Sequence, residues 1–264
     1  MPKENRETGI LLSGQGQKFM EGHSMYEWWL PCYAGVDRLT GNSLYAADLT
    51  DYYTGEAVEG KKPFPENELV KIGDGYYTPN PSYARYDWCG SALPKVYGGF
   101  TSAWEWKGIS LNALFTYSLG GKVYDQTYAS LMQTGSTPRA VHRDILSSWE
   151  QAPQGMTEDS PDRLDPQGVP VINSALSVNN NAVSSRFLID GSYLWIKNLT
   201  AAYAFPRRLV RKLDLESVSG SFSAENVALF AKRKGMNPLQ SFAGISGDVL
   251  VAPRVFSFGL TVKL

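Results

Sequence analysis

Period-2 alternation of apolar and polar positions is the dominant pattern in this chain. From Ile109 to Leu119 the odd positions carry Ile109, Leu111, Ala113, Phe115, Tyr117 and Leu119, and the even ones Ser110, Asn112, Leu114, Thr116 and Ser118. One face of such a strand is continuously apolar and the other mostly small and neutral, without a charge on either. Tyr97 to Trp106 sets Phe100, Trp104 and Trp106 on one face, and Lys107-Gly108 joins the two runs as a tight hairpin. Three further runs predict strands: Phe187 to Phe205, ended by Pro206; Glu216 to Phe230; and Val255 to Leu264. A weaker run, Thr8 to Phe19, brings the expectation to six antiparallel strands and an all-β fold. His142 to Trp149 places Ile145, Leu146 and Trp149 at helical spacing and predicts one short surface helix.

The connections sort by length. Lys107-Gly108 and Pro206 to Leu215 are short, whereas Gly22 to Lys95, Gly120 to Arg186 and Ala231 to Ala252 are long. Followed in order, six strands put every short connection at one end and every long one at the other. Short periplasmic turns and long extracellular loops are the arrangement of a transmembrane β-barrel. In that orientation Trp104, Trp106, Tyr203 and Phe205 fall at the periplasmic membrane interface, where an aromatic girdle belongs. One strand breaks the pattern. Strict alternation from Tyr193 to Phe205 would set Lys197 on the lipid face, at a cost of about 2–4 kcal/mol near the bilayer midplane. A β-bulge near Lys197-Asn198 removes the conflict. Leu194, Ile196, Leu199, Ala201, Tyr203 and Phe205 then face lipid, and Trp195, Lys197, Thr200 and Ala202 face the lumen.

Composition narrows the classes. The 264 residues are 43% apolar and 12% aromatic with only 19% charged, which suits a folded chain with a sizeable core rather than a disordered one. A formal net charge of −1 excludes a dedicated nucleic-acid binder, which would carry a basic surplus. No apolar run approaches the length of a transmembrane helix, and the polar start MPKENRETG gives no expectation of a signal peptide. Cys32 and Cys89 are either a disulfide formed in an oxidising compartment or two thiols. CxxC, HExxH, GxSxG, SxxK and phosphate-cradling glycine loops are all missing from the sequence, so no catalytic residue, metal or cofactor is expected. Trp28 and Trp29, in the first long connection, are candidates to stack on a substrate or to pack within their loop, and Trp195 is a lumen-facing candidate. The basic cluster Arg207, Arg208, Arg211 and Lys212 reads as a solvated periplasmic turn rather than as a site of lipid or nucleic-acid recognition. Asn198-Leu199-Thr200 matches a glycosylation sequon by chance, inside a strand.

Several segments together resemble one family. Leu93-Pro94-Lys95-Val96-Tyr97-Gly98-Gly99-Phe100, Leu119-Gly120-Gly121-Lys122-Val123-Tyr124-Asp125 and Ser185-Arg186-Phe187-Leu188-Ile189-Asp190 are similar to the C-terminal barrel of SusC/RagA-type TonB-linked outer-membrane transporters. So are Lys197-Asn198-Leu199-Thr200, Tyr203-Ala204-Phe205-Pro206, Ala224-Glu225-Asn226-Val227, Lys234-Gly235-Met236-Asn237-Pro238 and Pro253-Arg254-Val255-Phe256-Ser257-Phe258-Gly259-Leu260. Upstream, Tyr33-Ala34-Gly35-Val36-Asp37 with Thr40-Gly41 also fits. Asn237, Leu239 and the terminal Leu264 depart from the family's usual acidic and aromatic residues. The resemblance implies an outer-membrane importer of large nutrients, oligosaccharides or peptides. Such importers work with a SusD-like surface lipoprotein and are energised through TonB.

Plugged barrels of this kind close with 22 strands, and six cannot curve into that cylinder. Residues 1–264 are therefore expected to be the C-terminal segment of a longer receptor, without plug domain and N-terminal strands, and not transport-competent alone. The alternative is a soluble secreted β-sandwich that binds carbohydrate through exposed aromatics such as Trp28, Trp29, Tyr52 and Tyr53. A sandwich must cover the apolar face of Ile109 to Leu119, whereas a barrel leaves it to lipid. A glycosidase using Asp144, Glu150, Asp159 or Asp162 has nothing to set the spacing of its acids.

Overall fold

A computed structural model describes residues 10–12, 16–49, 65–133, 139–232, 243–247 and 252–264. In chain order the strands are β1 (Ile10–Leu12), β2 (Gln17–Phe19), β3 (Glu27–Pro31), β4 (Tyr33–Asp37), β5 (Ser43–Ala46), β6 (Val70–Ile72), β7 (Gly75–Thr78) and β8 (Tyr86–Ser91). There follow β9 (Val96–Trp106), β10 (Ile109–Leu119), β11 (Lys122–Asp125), β12 (Leu164–Asp165), β13 (Leu188–Asp190), β14 (Tyr193–Ala204), β15 (Ser217–Ala231), β16 (Ile245–Ser246) and β17 (Val255–Lys263). They belong to two compact units, Met1–Ser91 with Tyr124–Leu188, and Ala92–Val123 with Ile189–Leu264.

The second unit holds the long alternating strands in one antiparallel sheet, ordered β17-β15-β14-β10-β9. The β9–β10 turn has φ +47° at Lys107 and +84° at Gly108, the pair of positive values that fits a two-residue hairpin to strand twist. A Cβ at Gly108 would stand 2.9 Å from the Ala204 carbonyl oxygen, so the turn needs glycine there. Pairing carries each face across the whole sheet. Trp104, Leu111, Ala201, Phe222 and Phe258 form one cross-strand row, and Glu105, Ser110, Ala202, Ser221 and Gly259 form the next row on the opposite face. The strand ends at Trp106, Ala204, Ser217 and Lys263 lie together, so the short connections share one end, as expected from the sequence.

The bulge falls where the charge of Lys197 requires it. Leu114 pairs with Asn198 and Phe115 with Ile196, which leaves Lys197 unopposed on β10. Across the other edge Ile196 pairs with Ala228 and Asn198 with Glu225, so Asn226 and Val227 oppose one residue. Asn226 takes φ +54° and donates its side-chain amide to the Pro253 carbonyl at 2.9 Å. Lys197 Nζ lies 5.4 Å from the Trp195 ring centre, on the polar side of the sheet.

Two expectations about these strands need correction. The run Phe187 to Phe205 is not one strand. Phe187 ends a 3-10 turn, and β13 stops at Asp190, whose carboxylate accepts bonds from the Ser192 N–H at 2.9 Å and its hydroxyl at 2.7 Å. That local Asx turn redirects the chain before β14 begins. The sixth strand, Thr8 to Phe19, is also absent from this sheet. Its described part forms β1 and β2, which pair with each other as a hairpin in a sheet ordered β1-β2-β3-β8.

The first unit shows that the long connections are folded. Residues of Gly22 to Lys95 and Gly120 to Arg186 supply a second sheet, ordered β12-β4-β5-β7-β6. These strands run two to five residues, too short for alternation to reveal them. Trp28, Leu30, Val36, Leu44, Tyr45, Met132 and Phe187 are all at most 2% exposed and form the core. Over it, Asp37 and Arg163 make a buried bidentate ion pair at 2.8 and 2.9 Å. Asp37 also accepts the Leu39 N–H at 2.9 Å and the Thr40 hydroxyl at 2.8 Å, which shapes the turn ending at Gly41. Gly41 takes φ +78° beneath Trp149, where a Cβ would clash with the indole. Trp149 then donates its indole N–H to the Arg38 carbonyl at 2.8 Å. The predicted helix is shorter and tighter than its spacing suggested. It is a 3-10 segment, Arg143–Ser147, that buries Ile145 but leaves Leu146 in the open and Trp149 beyond its end.

Burial alone would push the Asp37 carboxyl up, but the bonds from Arg163, the Leu39 N–H and Thr40 outweigh it and hold it below the ordinary range. Its stabilisation is therefore complete above the unfolded carboxyl value near ~3.9 and is lost as pH falls through the lower folded value. Asp37→Asn strands the buried Arg163 and is expected to cost about 3–5 kcal/mol, read as early proteolytic cleavage of the first unit. Unchanged protease resistance would show that the pair does not hold that unit.

Cys32 and Cys89 are not joined in a disulfide. The Cys32 N–H bonds the Arg85 carbonyl, four residues from Cys89 along β8, so the two sit roughly 13 Å apart at ~3.3 Å per residue. A disulfide spans at most about 7 Å between Cα atoms. Unfolded in denaturant without reductant, the protein should take up maleimide at both cysteines; a single species with no adduct would contradict this register.

Candidate functional site

Alternation in β3 separates the two adjacent tryptophans. Trp28 faces the core, fully buried 6.0 Å from the Tyr124 ring, and shows no ring face to solvent. Trp29 points the other way and is only half-buried. Pairing sets it opposite Trp88 of β8, the rings meeting edge-on at 4.9 Å, with Tyr86 at 6.4 Å. His23 stacks flat on Trp88 at 3.8 Å and is held by the Glu27 carboxylate at 2.7 Å. Lys18 of β2 places Nζ 4.3 Å from the Trp29 ring centre, and partial burial against these rings lowers the pKa of its ammonium. The result is an aromatic shelf with a cation and a carboxylate at its margin. Such a surface can stack on flat apolar faces of a ligand and satisfy polar groups beside them. Sequence reasoning reached Trp29 but missed Tyr86, Trp88, His23 and Lys18. The available signal was Tyr86 and Trp88 two residues apart, on one side of a strand.

Trp195 lies on the small, polar face of the five-stranded sheet, opposite Thr116 and Leu229, with Lys197 over its ring. Asn198 accepts the Thr200 hydroxyl at 2.8 Å within paired strand. The four aromatics expected at a membrane interface, Trp104, Trp106, Tyr203 and Phe205, occupy the opposite, apolar face. Trp106, Ile109 and Tyr203 share the terminal row, Trp104 stands one row further in, and Tyr203 meets Phe205 edge-on at 5.0 Å. Trp104 is 71% exposed and Trp106 67%, and Phe258 on the same face reaches 83%. The structure brings all four together at the short-turn end.

The acids weighed for hydrolysis are not brought together as a pair. Asp144 accepts the Tyr128 hydroxyl at 3.0 Å, Asp162 pairs with Arg38 at 2.7 Å, and Glu150 and Asp159 stand exposed. Glu150 does line a groove of about 390 Å³ with Arg38, Trp149 and Asp165. Among the described residues no group of three His, Cys, Asp or Glu side chains is placed to hold a metal. Among the same residues no helix is long and apolar enough to cross a membrane, which has no bearing on a β-barrel.

No family model matches the chain. Over 185 residues, 66% of this chain, it is 26% identical to TonB-dependent receptor P3 of Formosa agariphila and covers 17% of that protein. In structure it is similar to the RagAB peptide importer in the closed-closed state, with a TM-score of 0.66 and 19% identity over 97% of this chain and 25% of the other. A structure of the RagAB peptide transporter matches at a TM-score of 0.58 and 22% identity, over 86% of this chain and 21% of that one. The chain thus spans at most a quarter of the length of these relatives. Its sequence is similar to that of a TonB-dependent receptor, and it shares an antiparallel, all-β fold with the RagAB structures.

Proposed function

We propose that this chain is the C-terminal barrel segment of an outer-membrane importer that takes up oligosaccharides or peptides, is energised through TonB and works with a SusD-like surface lipoprotein. The observation that carries this reading is the two-faced sheet. Large rings stand exposed on one face and mostly small residues, Ser, Thr, Asn, Ala and Gly, line the other, with the aromatic rows at the end where the short turns lie. In water so much open apolar surface would drive association; against lipid it is the favoured arrangement, with Trp104, Trp106, Tyr203 and Phe205 at the headgroup level. A carbohydrate-binding sandwich would have to bury that face. The five-stranded sheet also ends in β9 and β17, each paired on one side only among the described residues, which suits a piece of a larger closed barrel. The chain is one part of a transporter rather than an enzyme and does not transport alone, and Trp29 with Trp88 and Tyr86 forms a contact surface for the substrate. Trp195 is a second contact, from the lumen side.

In native cells an antibody against Ala252 to Leu264 should detect an outer-membrane band that shifts in mobility on heating. A soluble 29.2 kDa species would overturn the reading. Leu199→Arg and Thr200→Arg, one residue apart on opposite faces, separate lipid from lumen. The first should cost about 2–4 kcal/mol of folding into bilayers and the second should be tolerated; equal effects would contradict the facing. Trp29→Ala in the purified transporter should weaken substrate binding roughly tenfold, in line with an aromatic contact of ~1.4 kcal/mol. Unaltered affinity would remove the shelf from the substrate path.

A further inference from the structure

The basic cluster after β14 sits in surroundings that a solvated turn does not need. Phe205, exposed on the apolar face, leads through Pro206 into a helical turn, Arg207–Val210, continued by a 3-10 turn, Arg211–Leu213. Val210 is buried and fixes the segment to the sheet, while Arg207, Arg208, Arg211 and Lys212 are all exposed. Among the described residues none of these four pairs with a carboxylate, and nearby Glu216 is taken by Lys263 Nζ at 3.0 Å. Between the arginines Leu209 is 56% exposed, an apolar side chain placed among cations. Across the same rim Lys107 holds Nζ 4.7 Å from the centre of the Trp106 ring, at the edge of the aromatic rows. Lys107, Arg207, Arg208, Arg211, Lys212 and Lys263 stand against Glu105, Asp214 and Glu216, a surplus of three positive charges on a chain whose net charge is −1.

We propose that this rim binds anionic phospholipid headgroups, with Arg207, Arg208, Arg211 and Lys212 on the phosphates and Leu209 in the acyl boundary. The inference rests on the membrane reading above, which puts this end at the leaflet interface. Guanidinium groups match phosphate oxygens in a bidentate way. Cations just beyond an aromatic band lie where headgroup charge concentrates, and their stems can run along the apolar zone while their heads reach the phosphates. An exposed leucine between them is costly against water and favourable against acyl chains.

The test uses the full transporter in detergent micelles doped with either phosphatidylglycerol or phosphatidylcholine, with retained lipid counted by native mass spectrometry. Phosphatidylglycerol should be retained at least tenfold over phosphatidylcholine, at about fivefold per engaged cation, and the preference should shrink as salt rises. The quadruple variant R207Q/R208Q/R211Q/K212Q should lose the selection while keeping its heat-modifiable band; the salt series on the unaltered protein serves if that variant does not fold. Equal retention of the two lipids, or selection insensitive to both salt and the variant, overturns the inference and returns these cations to solvent or to an acidic polypeptide. Failure of the unaltered protein to insert into any lipid overturns the membrane reading along with it.

Discussion

Side chains on a strand alternate with period two, so the register between β14 and its neighbours decides which residues meet apolar surroundings. A slip of one residue would exchange the two faces of the sheet. Lys197 makes that choice unavoidable, because unbroken pairing from Tyr193 to Ala204 cannot keep both Leu194 and Leu199 on one side and Lys197 on the other. One extra residue on β14 against β10, and one more on β15 against β14, resolve the conflict. Upstream of the bulge Leu194 and Ile196 face with Phe115 and Tyr117, and downstream Leu199 and Ala201 face with Ala113 and Leu111. Asn226 makes the second step at low strain, since a positive φ suits asparagine and its amide finds the Pro253 carbonyl. Every cross-strand row, and with it the band of exposed rings, follows from that pair of insertions.

The first unit obeys a different rule. Its strands are short, and it keeps its shape through buried polar contacts between distant stretches as well as through apolar burial. Asp37 gathers Arg163, Leu39 and Thr40 at one turn, and the same turn seats Trp149 on Gly41. Further along, Asn180 accepts the Ser43 N–H at 2.9 Å through its side chain and the Ser43 hydroxyl at 2.8 Å through its carbonyl, and Arg186 donates to that carbonyl as well. The Asn180 side-chain nitrogen is left buried without a partner among the described residues, so the network is strong but not fully satisfied. The motif Tyr33 to Gly41, recognisable in the sequence only as a resemblance, thereby acquires a physical cause.

These two rules bear on function in different ways. The long sheet presents chemistry by face, with rings towards one medium and small polar groups towards another, so its role follows from where a residue points. The first unit presents chemistry by convergence, as in the shelf where Trp29, Trp88, His23 and Lys18 meet from three strands and a turn. The transport role proposed above calls on both properties, a wall that tolerates lipid and sites that hold a solute by a few oriented contacts.

The five long strands, the Lys107-Gly108 turn, the sorting of short and long connections and the bulge at Lys197 were all legible in the sequence. Each is a local consequence of period-two patterning over nine or more residues, or of one charge in the wrong place. The break at Asp190, the division of Thr8 to Phe19 into two short strands and the sheets within the long connections were not. Strands of two to five residues give no measurable period, and their partners lie far away in sequence. Trp28 and Trp29 show the limit most clearly. As neighbours they looked equivalent, and only the placement of β3 between β2 and β8 buried one ring in a core and left the other on a shelf. Patterning and composition by themselves determined which medium the long strands suit. The tertiary structure alone decided which distant side chains meet, because those contacts depend on chain crossings that leave no local trace.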